Sequence, residues 1–145
     1  MPFATRVLLV DDSIDDNFIH TRLLRRTGFT SHVEVMKDGL DALAYLRGLA
    51  EGSAGGAETP QIVFLDLRMP RLDGFEFLAE YEKLPADFRR RVAVVVLTSS
   101  LLTVDRERAT GLSPQLHYLV KPLTRQQIEE LNARLARKEP AGADS

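Results

Sequence analysis

Five side chains with polar chemistry stand at one kind of place, directly after a short apolar run. Asp66 closes Ile62-Val63-Phe64-Leu65, Asp11 and Asp12 close Val7-Leu8-Leu9-Val10, Thr98 closes Val92-Ala93-Val94-Val95-Val96-Leu97, and Lys121 closes His117-Tyr118-Leu119-Val120. Short continuous apolar runs bounded by turn residues read as buried strands of a parallel sheet. After Asp66 come Pro70, Asp73 and Gly74, which stop the strand near Asp66. A carboxylate at the carboxyl end of a buried strand sits where open α/β sheets bind ligands. Buried, it has to be paired, metal-bound or protonated.

Asp11, Asp12 and Asp66 carry −3 and Lys121 carries +1, so the ionised set is −2. Two carboxylates about 4 Å apart repel by roughly 4 kcal/mol at an effective dielectric of about 20. Lys121 alone does not relieve that, so the set either holds a proton or binds a divalent cation. Oxygen donors without His or Cys select a hard ion, and few carboxylates plus waters suit Mg²⁺ better than Ca²⁺. A carboxylate, a Mg²⁺ ion, a hydroxyl and an ammonium together suit phosphoryl transfer. The carboxylate attacks, the cations neutralise phosphoryl oxygens and the hydroxyl donates a hydrogen bond.

The elements that must position these groups alternate. Ser13 opens a helix to about Thr27, with i,i+4 pairs Ile14/Phe18 and Ile19/Leu23. Its apolar positions spread round the axis, which predicts a well-buried helix, with Gly28 as its stop. His32–Met36 alternates and reads as a strand nearer the sheet edge, and Gly39 to about Leu49 reads as a helix. The Gly/Ser/Ala-rich stretch Glu51–Pro60 reads as a surface loop inserted before the central strand. A helix from Gly74 is expected to end near Leu84-Pro85, and Arg89-Arg90-Arg91 reads as a solvated helix end or loop. Thr103–Thr110 is a short polar helix closed by Gly111. Thr124 and Gln127 have capping-box spacing before a helix with Ile128, Leu131 and Leu135 on one face. Arg134, Arg137 and Lys138 suit that helix's C-terminal end, and residues 139–145 read as a fraying tail.

Five βα units predict an α/β fold, a three-layer sandwich around a parallel sheet of order 2-1-3-4-5. All five polar groups then fall on one rim. A chain of 145 residues, 44% apolar, is expected to be one domain over residues 1–138. Net charge −2 argues against a nucleic-acid surface, and the absence of cysteine excludes thiol chemistry. No apolar run reaches the roughly 20 residues of a membrane span, and Met1–Arg6 is no signal peptide, so a cytoplasmic protein is expected.

Leu9-Val10-Asp11-Asp12-Ser13, Leu65-Asp66-Leu67-Arg68-Met69-Pro70 with Asp73-Gly74, Leu97-Thr98-Ser99-Ser100 and Lys121-Pro122 together resemble the receiver domain of two-component response regulators, closest to stand-alone receivers without an output domain. The resemblance covers about Arg6 to Leu135 and implies the flavodoxin-like fold. It implies that Asp66 accepts a phosphoryl group from a histidine kinase. Asp12, Asp66 and the main-chain carbonyl of Arg68 would bind Mg²⁺ directly, and Asp11 through a water. Thr98 and Lys121 would contact the phosphoryl group, Tyr118 would be the aromatic that reorients with Thr98 on activation, and the bond before Pro122 would be cis. Arg68 and Ser100 hold positions that face the path of attacking water in that family. Output would run through protein contacts at 103–111 and 124–135 or through onward phosphotransfer. A phosphorylation-independent adaptor is the alternative.

Plainer roles are expected elsewhere. Asp15 and Asp16 read as first-turn acids suited to the helix dipole, and Asp73 as a turn residue for Gly74. His20, His32 and His117 lack ligand spacing. A dehalogenase-type phosphohydrolase would need Asp where Arg68 stands, and a flavodoxin's phosphate would be repelled by Asp11-Asp12.

Overall fold

The computed structural model of the chain describes residues 6–30, 32–52 and 59–137. In order it forms β1 (Val7–Val10), α1 (Ile14–Arg26), β2 (Val33–Met36), α2 (Gly39–Ala50), β3 (Ile62–Leu65), α3 (Gly74–Tyr81), α4 (Ala86–Arg90), β4 (Ala93–Thr98), α5 (Thr103–Leu112), β5 (His117–Val120) and α6 (Arg125–Arg137). The strands make one parallel sheet in the order β2-β1-β3-β4-β5. This is the expected flavodoxin-like sheet.

Two cores explain the layers. Leu8, Val10, Val63, Leu65, Val94 and Val96 point to one face, packed with Leu43, Leu46, Phe75 and Leu78 from α2 and α3. Val7, Leu9, Ile62, Phe64, Val95 and Leu97 point to the other, packed with Leu24, Ile128 and Leu131 from α1 and α6. Successive strand residues alternate between faces, and both faces are dry, so the strands read as unbroken apolar runs.

The register aligns the strand ends. Val10 pairs with Leu65 and Leu65 with Val96, while Thr98 pairs with Val120. The Asp66 amide continues the ladder to the Val10 carbonyl at 2.9 Å, and the Lys121 amide to the Thr98 carbonyl at 2.7 Å. Each chemically equipped residue therefore follows its strand onto the same rim.

Three expectations are corrected. α1 is not well buried: Ile14, Phe18 and Ile19 are 66%, 52% and 56% exposed. Its inward stripe is Asn17, His20 and Leu24, because the ground beneath its first turns is the polar rim, which takes polar side chains. The helix from Gly74 stops at Tyr81, and a separate short α4 follows Pro85. Arg89 and Arg90 end α4, where they pair with Glu82 and Asp87. Gly111 does not close α5, which continues to Leu112 with Ser113 as its C-cap, so this glycine stays helical at a propensity cost of about 1 kcal/mol.

The capping box at Thr124 and Gln127 is present. Asp73 caps α3 in a reciprocal box with Glu76. Gly28 takes φ +75° after α1. Most of the 51–60 stretch, together with Lys138 and the tail 139–145, lies outside the described residues.

Candidate functional site

The rim assembles around Asp66, which is 7% exposed at the end of β3. Carboxylate oxygens of Asp11, Asp12 and Asp66 lie within 4.8 Å of one another, with Asp11 buried and Asp12 exposed. Lys121 Nζ lies 2.7 Å from Asp11 Oδ2 and 3.6 Å from Asp66 Oδ2. Thr98 ends β4 fully buried, its Oγ1 accepting from the Ser100 amide at 3.2 Å. The Lys121-Pro122 peptide bond is cis. The structure thus brings Asp11, Asp12, Asp66, Thr98 and Lys121 to one rim, as the strand ends require.

The electrostatics follow from burial. Asp66 is pushed up to about 6, chiefly by loss of water and next by the Asp11 charge, while Lys121 and the Arg68 and Leu67 amides oppose the rise. Burial alone would lower Lys121, yet its hydrogen bonds to Asp11 and Asp16 hold it above its ordinary value. A single ammonium shared among carboxylates leaves the set short of positive charge, the condition that a hard cation relieves.

Local structure holds the two acidic loops. Ser13 caps α1 by accepting from the Asp16 amide at 3.2 Å, and Asp11 Oδ1 accepts from the Ser13 amide at 2.9 Å. Asn17 Nδ2 donates to the Asp11 carbonyl at 2.8 Å. After β3 the chain passes directly under Gly74, where an added Cβ would come within 2.6 Å of the Asp66 carbonyl oxygen and of Leu67 Cα. A second close approach occurs at Gly39, whose Cβ would meet the Leu72 carbonyl at 2.6 Å. Arg71, at φ +64°, reaches back to the Asp38 carboxylate that caps α2. The loop carrying Arg68 is thereby pinned at both ends.

Four residues at or beside the site escaped the sequence reading. Asp16 does more than suit a helix dipole: its Oδ2 lies 2.7 Å from Lys121 Nζ, and that bond holds Asp16 below the usual carboxylate range. Asn17 and His20 form a buried floor with Asp11, Asp66 and Phe64, around a cavity of about 10 Å³ that fits one water. Burial lowers His20 from the ordinary histidine value. Asp105, in the first turn of α5, accepts from Arg68 at 3.0 Å and from Ser100 Oγ at 2.6 Å. Spacing places Asp16 at the start of a helix, but no local pattern announces a lysine 105 residues away.

Tyr118 lies on β5, 9% exposed, with the Arg106 guanidinium 5.3 Å from its ring centre. Its hydroxyl is buried without a well-formed hydrogen bond, with the Ser100 side chain nearby. His117 is buried on the opposite face, and His32 sits at the surface beside Glu34, so neither joins the rim.

Known proteins are similar to this chain in sequence and fold. The family model for the response regulator receiver domain matches residues 7–133. The probable methanogenesis regulatory protein FilR2 of Methanothrix harundinacea is 41% identical over 118 residues, 81% of this chain and 72% of that protein. The chain spans 61% and 53% of the length of two further relatives. Among solved structures, a response regulator receiver protein from Dyadobacter fermentans matches with a TM-score of 0.75 at 32% identity, covering 94% of this chain and 99% of that one. The receiver domain of the sensor histidine kinase PA1611 from Pseudomonas aeruginosa, which holds a magnesium ion in its active site cleft, matches with a TM-score of 0.70 at 25% identity over 90% and 95% of the two chains. A matched stretch running from the first strand into the last helix, with the carboxylates and lysine each at a strand end, makes the chain a member of the response regulator receiver family, and its function that of a two-component response regulator.

Proposed function

We propose that Asp66 is the phosphoacceptor and that its phosphorylation by a sensor histidine kinase or a phosphotransfer protein is the signal this chain carries. The observation behind this reading is the position of Asp66: buried at a strand end, with two further carboxylates within 4.8 Å and an ammonium at 3.6 Å. In the reaction an Asp66 oxygen attacks phosphorus, a P–O bond forms, and the P–N bond to the donor histidine breaks with its electron pair returning to the imidazole. Lys121 Nζ and Thr98 Oγ1 are the donors at hand for the phosphoryl oxygens.

Three carboxylates without His or Cys fit a hard divalent cation. Asp12, Asp66 and the Arg68 carbonyl would hold Mg²⁺, with Asp11 acting through water. When bound, Mg²⁺ neutralises charge on the transferring phosphoryl group. The protein's own part is to keep Asp66 oriented through the Leu67 and Arg68 amides and to hold Lys121 within reach.

In this reading the chain is a signalling protein and not an enzyme acting on a separate substrate. Its receiver unit spans residues 1–138 and works in the cytoplasm, where a kinase can reach it. Among the described residues no helix is long and apolar enough to cross a membrane. Thr98 and Tyr118 form the switch, and the face of α5, β5 and α6 is the output surface. Leu101, Leu102 and Val104 stand exposed where α5 begins, which suits contact with a downstream protein.

Mass spectrometry after acetyl phosphate treatment in Mg²⁺ tests this. One acid-labile phosphoryl adduct on Asp66, absent from Asp66→Asn and blocked by chelator, is the expected result. An unmodified wild-type protein would support the phosphorylation-independent adaptor instead.

A further inference from the structure

Arg68 stands two residues after Asp66, on the loop that leads away from β3, and its side chain is 65% exposed. Its tip is not free: Nη2 donates to Asp105 Oδ2 at 3.0 Å. Asp105 is buried, with an 11% exposed side chain, and the same oxygen accepts from Ser100 Oγ at 2.6 Å. Ser100 in turn gives its amide to Thr98 Oγ1 at 3.2 Å and accepts from the Leu102 amide at 3.2 Å. One carboxylate oxygen in the first turn of α5 therefore ties together the cation two residues after Asp66, the hydroxyl of Ser100 and, through Ser100, the hydroxyl of Thr98.

We propose that Asp105 is a positioning residue that holds the Arg68 guanidinium away from Asp66 in the resting protein and surrenders it to the phosphoryl group, so that α5 senses phosphorylation through the loss of an ion pair. This rests on Asp66 being the phosphoacceptor. A phosphoryl group brings close to two negative charges and three acceptor oxygens, and a guanidinium fork matches phosphate geometry in two parallel hydrogen bonds. Asp105, by contrast, offers Arg68 one oxygen that Ser100 already shares. The exposed stem of Arg68 leaves it room to turn.

The departure leaves a buried carboxylate without its cation, which is costly unless another donor arrives. Tyr118 supplies one. Its hydroxyl is buried with no well-formed hydrogen bond, only the Ser100 side chain lying near enough to act on it, and after burial the Asp105 charge is the chief influence raising its proton affinity. Movement of Arg68 outward and of Tyr118 toward Asp105 are then two halves of one exchange of donors on a single carboxylate. Ser100 carries the change toward Thr98, since it donates its hydroxyl to Asp105 and its amide to Thr98 Oγ1. A plainer role for Asp105 is as a first-turn acid suited to the α5 dipole, and it makes a different forecast.

The test uses the full chain in Mg²⁺ with beryllofluoride as the phosphoryl mimic, read by NMR at the Arg68 Nε–H and at backbone amides. In wild type the Arg68 side-chain signal is expected to shift together with the Ser100 and Asp105 amides. In Asp105→Asn that signal starts in its released position, and beryllofluoride binds roughly fivefold tighter, the scale of one partly exposed ion pair. Asp105→Glu restores wild-type behaviour. If Asp105→Asn lowers only the melting temperature, with affinity and the Arg68 signal as in wild type, the plainer role holds and the proposal is overturned. Should that variant not fold, the wild-type Arg68 signal decides alone, and silence at saturation overturns the proposal. Wild type with shifted Leu67 and Arg68 amides but a silent Arg68 side chain refutes only this inference, whereas no response anywhere on the rim refutes the phosphoacceptor reading as well.

Discussion

The Lys121 ammonium lies 2.7 Å from a carboxylate oxygen of Asp16, closer than the 3.6 Å that separates it from Asp66. The lysine expected to meet a phosphoryl group is thus held partly aside by a residue on the first turn of α1. Asp16→Asn removes a competitor while leaving Asp11 as partner. The rate of labelling of Asp66 by a small phosphodonor is expected to rise roughly threefold, the modest scale set by a half-open ion pair. A fall in that rate, measured by phosphate-affinity gel, would mean that Asp16 delivers Lys121 instead of detaining it.

Acid titration provides a second check. Asp66 sits at about 6 in the folded chain against an ordinary value of 3.8. Between those values the folded protein keeps a proton that the unfolded chain has released. Without divalent cations, stability contributed by this group therefore falls as pH rises from about 4 to about 6, by on the order of 2 kcal/mol. Asp16, Asp38 and Glu80 are shifted down and give the opposite slope, so the comparison has to be a difference. Urea midpoints of wild type and Asp66→Asn in chelator are expected to diverge over that window, with the asparagine form the more stable at neutral pH.

Magnesium should reverse that order. A ligand present at 100 times its dissociation constant stabilises the folded state by about 2.7 kcal/mol. Wild type is expected to gain several degrees in Tm in millimolar Mg²⁺, and Asp12→Ala to gain none. Equal Tm for wild type with Mg²⁺ and with chelator would remove the metal from this account.

A methyl group at residue 74 tests how tightly the Asp66 loop is built. The Cβ of Gly74→Ala would come within 2.6 Å of backbone atoms of Asp66 and Leu67, which have no flexible end to yield. A cost of about 1–3 kcal/mol is expected from such overpacking. Because the displaced atoms belong to the phosphoacceptor itself, Mg²⁺ affinity should fall with it, whereas Gly48→Ala, inside α2 with open space around its Cβ, should gain about 1 kcal/mol of helix stability and leave Mg²⁺ affinity unchanged. Chemical denaturation and metal titration of both variants make the comparison.

The sheet was legible because its information is local. Runs such as Val7–Val10 and Ile62–Leu65 are apolar on both faces, and only a parallel sheet covered by helices on each side uses them that way. Once the strand order followed, the positions of Asp11, Asp66, Thr98 and Lys121 on one rim followed too. What stayed hidden depends on side chains meeting across the fold. Phe18 and Ile19 look like core residues in any linear reading, and only the polar ground beneath α1 sends Asn17 and His20 inward instead. Asp16 and Asp105 look like helix-start acids, and only the finished rim shows which cations they face. Gly111 has the right type for a stop, but Ser113 beyond it is the residue that ends the helix.

α5 is fastened in an unusual manner. It starts at Thr103 behind Leu102, an N-cap residue that makes no side-chain cap, and its buried residues are Asp105 and Ala109, one of them charged. An apolar anchor keeps its grip whatever the charge state nearby, but a carboxylate does not. Ala109 and the partly buried Leu112 hold the helix to the core, and the Asp105 contacts add an electrostatic share to its opening free energy, which is expected to lie below that of the sheet. Its amides should exchange with solvent hydrogen sooner than those of α2, which buries Ala42, Leu43, Leu46 and Leu49. Added salt, which weakens ion pairs and leaves apolar packing largely intact, should hasten exchange in α5 while α2 keeps its pace.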